Sequence, residues 1–418
     1  MNIIPLRLSK LPKKIGMNNF LILKIKHQSL RQLFAIVIID FYVISALFFQ
    51  QHLFNGVLKS EYLLLVIGLF IVSITIFEEL NNHSFYIVNS TKKLEFVLLL
   101  FIILDSLIIR ERIMFGAIFD LFVGIAIAKQ LHHLNRYFSL SLIPFWFLVF
   151  YIIYRLDITF NPEKVFINSR NYVSFYLIIT VLPYYFLNSK NLKSASIFPA
   201  LITFILSALS LGRSGILSSA LILVIVLFFK TPKKLYKYRW LIIIFFLCLT
   251  FYVFFIYFKD LLNITSFSSR VMSETSGKYN SLGHFVESGG RATIISDYSK
   301  SLNFFSFLFG SDLSHPTSAA LRYVMNRYGH LHSSLLNMYA AIGFGALIFL
   351  GFVFYKLKYY YSRNKVLMFL LIAILLRSST DVGLLFSYFD FVFWMFLVGV
   401  EINKSPTNKV LDNSKTAY

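Results

Sequence analysis

Cysteine is nearly absent from this chain, and acidic residues are scarce. The single cysteine, Cys248, stands inside an apolar run and can close no intramolecular disulfide. Asp and Glu number 19 against 40 Lys and Arg, a formal net charge of +21. No Pro/Gly/Ser-rich linker, internal repeat or soluble-looking segment interrupts the chain, so nothing marks a second domain. Polar and apolar residues do not alternate in segments of about ten, as a membrane β-barrel requires. No small-residue cleavage site follows the first apolar run. The basic stretch carrying Arg7, Lys10, Lys13, Lys14, Lys24, Lys26 and Arg31 therefore reads as the flank of an uncleaved helix, not of a removable signal peptide.

What the chain has in excess is apolar surface. Hydrophobic residues make up 57% of its 418 positions, Phe alone numbers 48, and the mean hydropathy is +0.71. A soluble domain cannot hide so much, which predicts an all-α polytopic integral membrane protein with lipid as its main solvent. Twelve spans are expected, at roughly 33–50, 62–77, 94–109, 113–128, 138–154, 172–187, 195–210, 214–229, 240–257, 333–355, 366–378 and 383–400. "RER" alone separates the third from the fourth.

With the N-terminus in the cytoplasm, the seven internal pieces hold 25 Lys and Arg and the six external ones 14, with Arg377 at the outer end of the eleventh span. Basic residues favour the cytoplasmic side, so this orientation is preferred, and an even span count returns the C-terminus to it. The expected organisation is a basic cytoplasmic N-terminus (1–32), spans one to nine (33–257), a long periplasmic loop (258–332), spans ten to twelve (333–400) and a cytoplasmic tail (401–418). The basic excess belongs to this topology and gives no reason to expect nucleic acid. Within the long loop, Ile294, Ile295, Tyr298, Leu302 and Phe305 recur near helical period, which predicts a segment lying on the membrane surface or capping the bundle.

The outer face collects the unusual residues. Arg213 lies in "SLGRSG", Arg291 opens the amphipathic stretch, His330 and His332 close the long loop, and Arg377 and Asp381 lie in "RSSTD". Arg155 and Arg170 flank the external loop 155–171. Arginines in short external turns oppose the positive-inside bias. A guanidinium offers a planar fork suited to phosphate and stays charged at any working pH. A neighbouring histidine can accept a proton from a hydroxyl near neutral pH. Each has a plainer alternative: an external arginine commonly snorkels to lipid head groups, and an interfacial histidine is commonly solvated or a cap. His330 and His332, two apart, cannot share one helix face. With His315 they match no familiar zinc spacing and no cysteine joins them, so no metal is expected. Ala340, Ala341, Gly343, Gly345 and Ala346 read as helix-packing residues. Asp40, Asp105, Asp120 and Asp390 fall within spans, as functional candidates or as groups neutralised inside the bundle, with no ordered ladder of the kind a proton-coupled transporter needs.

Three of these stretches together resemble the O-antigen polymerase and O-antigen ligase superfamily. "GHLHSSLLNMYAAIGFGALIFL" resembles that family's histidine before a membrane helix followed by a glycine pair, placing His332 and Gly343. Ser333 stands where the family often has Asn, and Gly345 falls one residue early. "SLGRSGILSSALILVIVLFF" resembles its Arg-containing turn at Arg213. "SGGRATIISDYSKSLNFFSFLFG" resembles the Arg that opens the large loop's helix, at Arg291. The likeness covers about 205–350, and the N-terminal half matches only as a series of spans.

The resemblance implies a GT-C-like helical fold and a metal-independent, inverting glycosyltransferase without a cofactor. Its donor would be an oligosaccharide on undecaprenyl pyrophosphate at the periplasmic face of the bacterial inner membrane. Arg213, Arg291 and Arg377 would hold the pyrophosphate and His332 would serve the acceptor hydroxyl. Asp381 is an alternative base, and His330, Arg155 and Arg170 are a second tier. A pyrophosphate leaves readily, so no carboxylic acid is needed to protonate a sugar oxygen. The partners implied are the lipid-linked oligosaccharide and membrane lipid, with a chain-length regulator and a flippase as further candidates. The favoured activity is polymerisation of repeat units. Ligation to the lipid A core, transport of lipid-linked oligosaccharide and membrane O-acyl transfer are the alternatives.

Overall fold

The computed structural model describes residues 14–398 apart from 51–59, 82–88, 110–113, 135–138, 160–164, 167–170, 211–212, most of 232–290, 314–317, 329–330, 332 and 381–383. Among the described residues every regular element is a helix, and there is no strand. The first eight α-helices are α1 (Lys14–Gln50), α2 (Ser60–Asn81), α3 (Asn89–Ile108), α4 (Phe115–His133), α5 (Ile143–Thr159), α6 (Asn171–Leu187), α7 (Phe198–Leu209) and α8 (Arg213–Lys230). Apart from α1, which begins at Lys14 and takes in much of the basic stretch expected to precede the first span at 33, they follow the apolar runs closely, and α3 and α4 are separate helices, as expected. Two stretches, Leu30–Phe49 and Phe115–His132, are long and apolar enough to cross a membrane; five shorter apolar helices accompany them.

The centre of the bundle is α6. Every residue from Val173 to Phe186 is buried, and the helix packs on α4, α5, α7 and α8. A helix apolar on all sides belongs in the interior of a bundle, and its composition explains its place. The outer helices are apolar on their outward faces too, where Phe34, Phe41, Phe70, Phe96, Phe150 and Phe354 are exposed. A water-facing surface does not carry so many large apolar side chains in contiguous patches.

The second half departs from a simple succession of spans. The amphipathic stretch of the long loop forms α9 (Arg291–Ser301) and α10 (Phe304–Phe309), parted at Asn303, which caps α10 by accepting from Ser306 N at 2.8 Å. Ile294 and Tyr298 are buried, whereas Ile295 and Phe305 are exposed. A third helix, α11 (Ala319–Tyr328), packs on α9.

The tenth expected span, 333–355, is two helices: α12 (Ser334–Ile342) and α13 (Phe344–Arg363). Gly343 breaks them with φ +52°. A Cβ at that position would stand 2.4 Å from the Leu308 carbonyl oxygen, so the backbone at the end of α10 occupies the space a side chain would need. Gly310, at φ +108°, makes the reciprocal approach to Ala340 O. The loop thus inserts α10 among α3, α12 and α13. Gly345 lies against Phe101, and Ala340, Ala341 and Ala346 are buried, in keeping with their expected packing role.

The eleventh expected span, 366–378, is the helix α14 (Lys365–Ser378), capped by Asn364. The twelfth, expected over 383–400, is helical only in α15 (Phe391–Leu397), among its described residues. Residues 384–390 are an irregular segment, buried at Leu384, Leu385, Phe389 and Asp390, in which Leu385 (φ 66°) and Phe386 (φ 59°) adopt the left-handed region. Bulky residues rarely adopt that region, so tertiary contacts must hold them there. The Asp390 carboxylate does so, accepting from Phe386 N at 2.6 Å and Ser387 N at 3.0 Å. The ninth expected span, 240–257, lies almost wholly outside the described residues.

Candidate functional site

Three helix starts meet the end of a fourth at one end of the bundle. Arg377, in the last turn of α14, is fully buried. Its guanidinium donates to Asn171 O at 2.8 Å, at the start of α6, and to Ser214 Oγ, in the first turn of α8. It also lies 5.7 Å from the centre of the Phe175 ring. A planar fork can satisfy two acceptors on different helices at once, and a cation in a helix's last turn is favoured by the helix dipole. Arg377 therefore clamps α6, α8 and α14.

The glycine of "GRSG" serves the same junction. A Cβ on Gly215 would overlap Ser174 Oγ at 2.0 Å, so α8 and α6 approach more closely there than any side chain allows. On the other flank, Ser333 caps α12: its Oγ accepts from Leu336 N at 3.4 Å and reaches Ser378 O at 3.5 Å. Ser334 Oγ accepts from Leu384 N at 3.1 Å. The start of α12 is thus fastened to the end of α14 and to the irregular segment before α15. A small apolar cluster of Ile294, Tyr298, Leu321, Val324, Leu331 and Ala340 fastens α9 and α11 to the same helix.

Beneath this junction lies an aromatic floor. Phe166 packs on Tyr176 at 5.2 Å and on Tyr151 at 5.7 Å, Tyr172 stacks on Tyr176 at 5.3 Å, and Phe389 lies 5.7 Å from Tyr176. Phe166 belongs to the 155–171 loop, so that loop is pinned against α6 by an apolar anchor.

The expected site residues fall on this frame as follows. Arg377 is at its centre, engaged with the protein. Arg213 and Arg291 are the first residues of α8 and α9. Arg155 is half-buried near the end of α5. His330, His332, Asp381 and Arg170 lie outside the described residues. Their described chain neighbours, however, are Leu331 and Ser333, Arg377 to Thr380, and Asn171, all parts of the junction or its flanks. Sequence reasoning missed Asn171, Ser214, Ser334 and the floor of Phe175, Tyr176 and Phe389. Serines beside an arginine and beside a histidine were visible in the motifs; what they bond to was not.

The electrostatic consequence is direct. The N-termini of α6, α8 and α12 bring the positive ends of their dipoles together, and the Arg377 charge lies among them. Such an arrangement favours an anionic group, phosphate above all. Among the described residues no group of three or more His, Cys, Asp or Glu could hold a metal ion.

Comparison with protein-family models, with curated proteins and with solved structures finds no match to this chain. The functional reading therefore rests on its own residues and geometry.

Proposed function

We propose that the chain is a membrane-embedded polymerase of surface polysaccharide, of the O-antigen polymerase and ligase type. It joins undecaprenyl-pyrophosphate-linked repeat units at the periplasmic face of the inner membrane. The observation that carries this reading is the meeting of three helix N-termini around the buried Arg377; Arg213 opens α8 there, and Arg170, His332 and Asp381 adjoin the junction's residues in sequence. The apolar outward faces of the bundle support its placement in lipid, and the distribution of Lys and Arg supports cytoplasmic termini.

In this reading Arg213 and Arg291 hold the pyrophosphate and stabilise the charge that grows on it as it leaves. The acceptor sugar's hydroxyl attacks the anomeric carbon of the donor from the face opposite the pyrophosphate. The new C–O bond forms as the bond to pyrophosphate breaks, which inverts the anomeric centre. His332 accepts the hydroxyl proton, with Asp381 as the alternative base. Arg377 is a positioning residue that keeps the starts of α6 and α8 in register. Arg155 and Arg170 guide the anionic donor from the rim, with His330 beside them. No metal or cofactor takes part.

The test is a surface-glycan gel from a strain lacking the gene, complemented with wild type, Arg291→Ala or His332→Ala at confirmed membrane expression. Core lipid bearing a single repeat unit in the deletion strain, a ladder with wild type and none with either variant support the proposal. Bare core in the deletion strain overturns polymerisation. Lipid-linked units accumulating on the periplasmic side would then indicate ligation, and accumulation on the cytoplasmic side transport.

A further inference from the structure

The end of the bundle opposite the junction carries a basic surface with exposed aromatic rings, which the proposed reaction does not use. α8 begins at the junction, where Ser214 meets Arg377, and its 18 residues end at Lys230, about 25 Å away by helical rise. That is close to the ~30 Å of a bilayer's hydrocarbon core. There Phe229 packs on Phe369, with 6.4 Å between ring centres, which brings the turn between α13 and α14 beside the end of α8. Lys230 Nζ donates to Lys193 O at 2.8 Å and to Ala195 O, which ties the loop between α6 and α7 to the same place. Phe228 packs on Trp240 at 5.4 Å. Three stretches distant in sequence, 187–197, 228–240 and 355–369, thus share one end of the bundle.

None of the three holds an Asp or a Glu. Lys190, Lys193, Lys237, Lys358, Arg363 and Lys365 are exposed there. So are Tyr238, Trp240 and Tyr361, each on half or more of its surface. Lys237 lies 5.9 Å from the centre of the Tyr238 ring and Lys365 5.5 Å from that of Tyr361, so cations and rings share one surface. By contrast, Arg31 on α1 has an acid of its own, Glu78 at 2.6 Å. Exposed Trp and Tyr belong at head-group depth, where the ring meets the acyl chains and its polar atom meets water. Unpaired like charges at that depth repel one another, and an anionic lipid surface relieves the repulsion.

The surface is also built in advance of any ligand. The Tyr184 hydroxyl accepts from Ser196 N at 2.6 Å, and the Tyr185 hydroxyl accepts from Ala200 N at 3.0 Å and donates to Ser196 O at 2.9 Å, which fixes the loop bearing Lys190 and Lys193. Asn364 Oδ1 accepts from Val366 N at 3.1 Å and fixes the turn bearing Arg363 and Lys365. Little backbone ordering is left for binding to cost.

We propose that this surface binds the phosphate-bearing head groups of anionic phospholipid in the leaflet at that end. The proposal rests on the placement of the bundle in lipid and not on the glycan reading, and its test involves no glycan.

The test uses the full chain in detergent micelles doped with phosphatidylglycerol or phosphatidylcholine brominated on the acyl chains. Bromine quenches nearby tryptophan, and Trp240 stands on the surface itself. At equal mole fraction, the brominated anionic lipid should quench about threefold more strongly or better. The excess should vanish in Trp240→Phe. It should also vanish in about 0.5 M salt, where the Debye length is about 4 Å. Arg363→Glu with Lys365→Glu should reduce quenching to the phosphatidylcholine level with an unchanged melting midpoint in pure detergent. Lys300→Glu, at an exposed lysine of α9, should leave it intact. Equal quenching by the two lipids, an excess that survives in Trp240→Phe, or an excess lost as readily in Lys300→Glu overturns the proposal. So does displacement of the lipid by soluble glycerol phosphate at constant ionic strength, which would make the surface a site for free phosphate. Should the double variant not fold, the salt series and Trp240→Phe decide: an excess that is screened by salt and reported by Trp240 supports the proposal, and one that fails either condition refutes it.

Discussion

Replacing Arg377 tests whether the buried guanidinium is a brace or a ligand. Arg377→Ala removes a donor to Asn171 O at 2.8 Å, a donor to Ser214 Oγ and a cation 5.7 Å from the Phe175 ring. Hydrogen bonds from a charged donor contribute about 1.5–3 kcal/mol each, and a desolvated cation–π contact about 2. Against these stands the several kcal/mol of desolvation that burying the cation costs, which the variant recovers. The net loss expected is about 2–4 kcal/mol. Arg377→Lys keeps the charge but cannot reach acceptors on two helices with one ammonium, and should lose about 1–2 kcal/mol. Thermal unfolding in detergent gives the size of the effect, and hydrogen exchange gives its place. In both variants, protection should fall in the first turns of α6 and α8, with Lys intermediate. Polymerisation should decline in proportion to that lost protection. If Arg377→Ala abolishes ladder formation while the melting midpoint and exchange at both helix starts stay unchanged, the brace argument is wrong and the side chain acts on the ligand.

Two further predictions concern the break in the tenth span and the far end of the bundle. Gly343→Ala forces a Cβ into the Leu308 backbone at 2.4 Å and an unfavourable φ, so it should cost about 2 kcal/mol or more. Gly351→Ala, whose Cβ meets nothing within 4 Å inside α13, should instead stabilise by about 0.5–1 kcal/mol; paired melting curves check both, and a neutral Gly343→Ala would sink the account of the break. At the basic end of α13, Tyr360 donates to Phe396 O at 2.5 Å, and burial pushes its phenol above the ordinary range. The unfolded chain therefore releases this proton first, so stability should fall as pH rises beyond about 10. Tyr360→Phe should flatten that alkaline decline while lowering stability near neutrality by about 1 kcal/mol, the cost of orphaning the Phe396 carbonyl.

The helices α1 to α8 and α14 were legible because each is a bounded apolar run whose burial needs no special partner. The breaks were not, because their causes lie elsewhere in the chain. "AAIGFGAL" reads as a packing stripe, and its alanines do pack. Gly343 interrupts the helix only because Leu308 to Gly310, from another segment, occupy the side-chain space. "GLLFSYFD" reads as the start of a span, since an apolar run shows no difference between a buried helix and a buried irregular segment. The difference is made by Asp390, whose carboxylate holds two left-handed residues. That carboxylate was visible as an acid inside a span, with nothing to say that its partners are backbone N–H groups four and three residues before it.

Arg377 was visible in the same way, as an arginine at the expected outer end of an apolar run. Its partners are 163 and 206 residues distant in sequence, and no local pattern can announce them. Both residues follow one rule. A charge in an apolar chain persists where it satisfies backbone or hydroxyl groups that the fold would otherwise leave bare. Asp390 satisfies donors at a strained turn, and Arg377 satisfies acceptors at the starts of α6 and α8. Asp40 is the exception, a buried carboxyl group whose Oδ2 finds no hydrogen-bond partner beside a cavity walled mainly by apolar side chains.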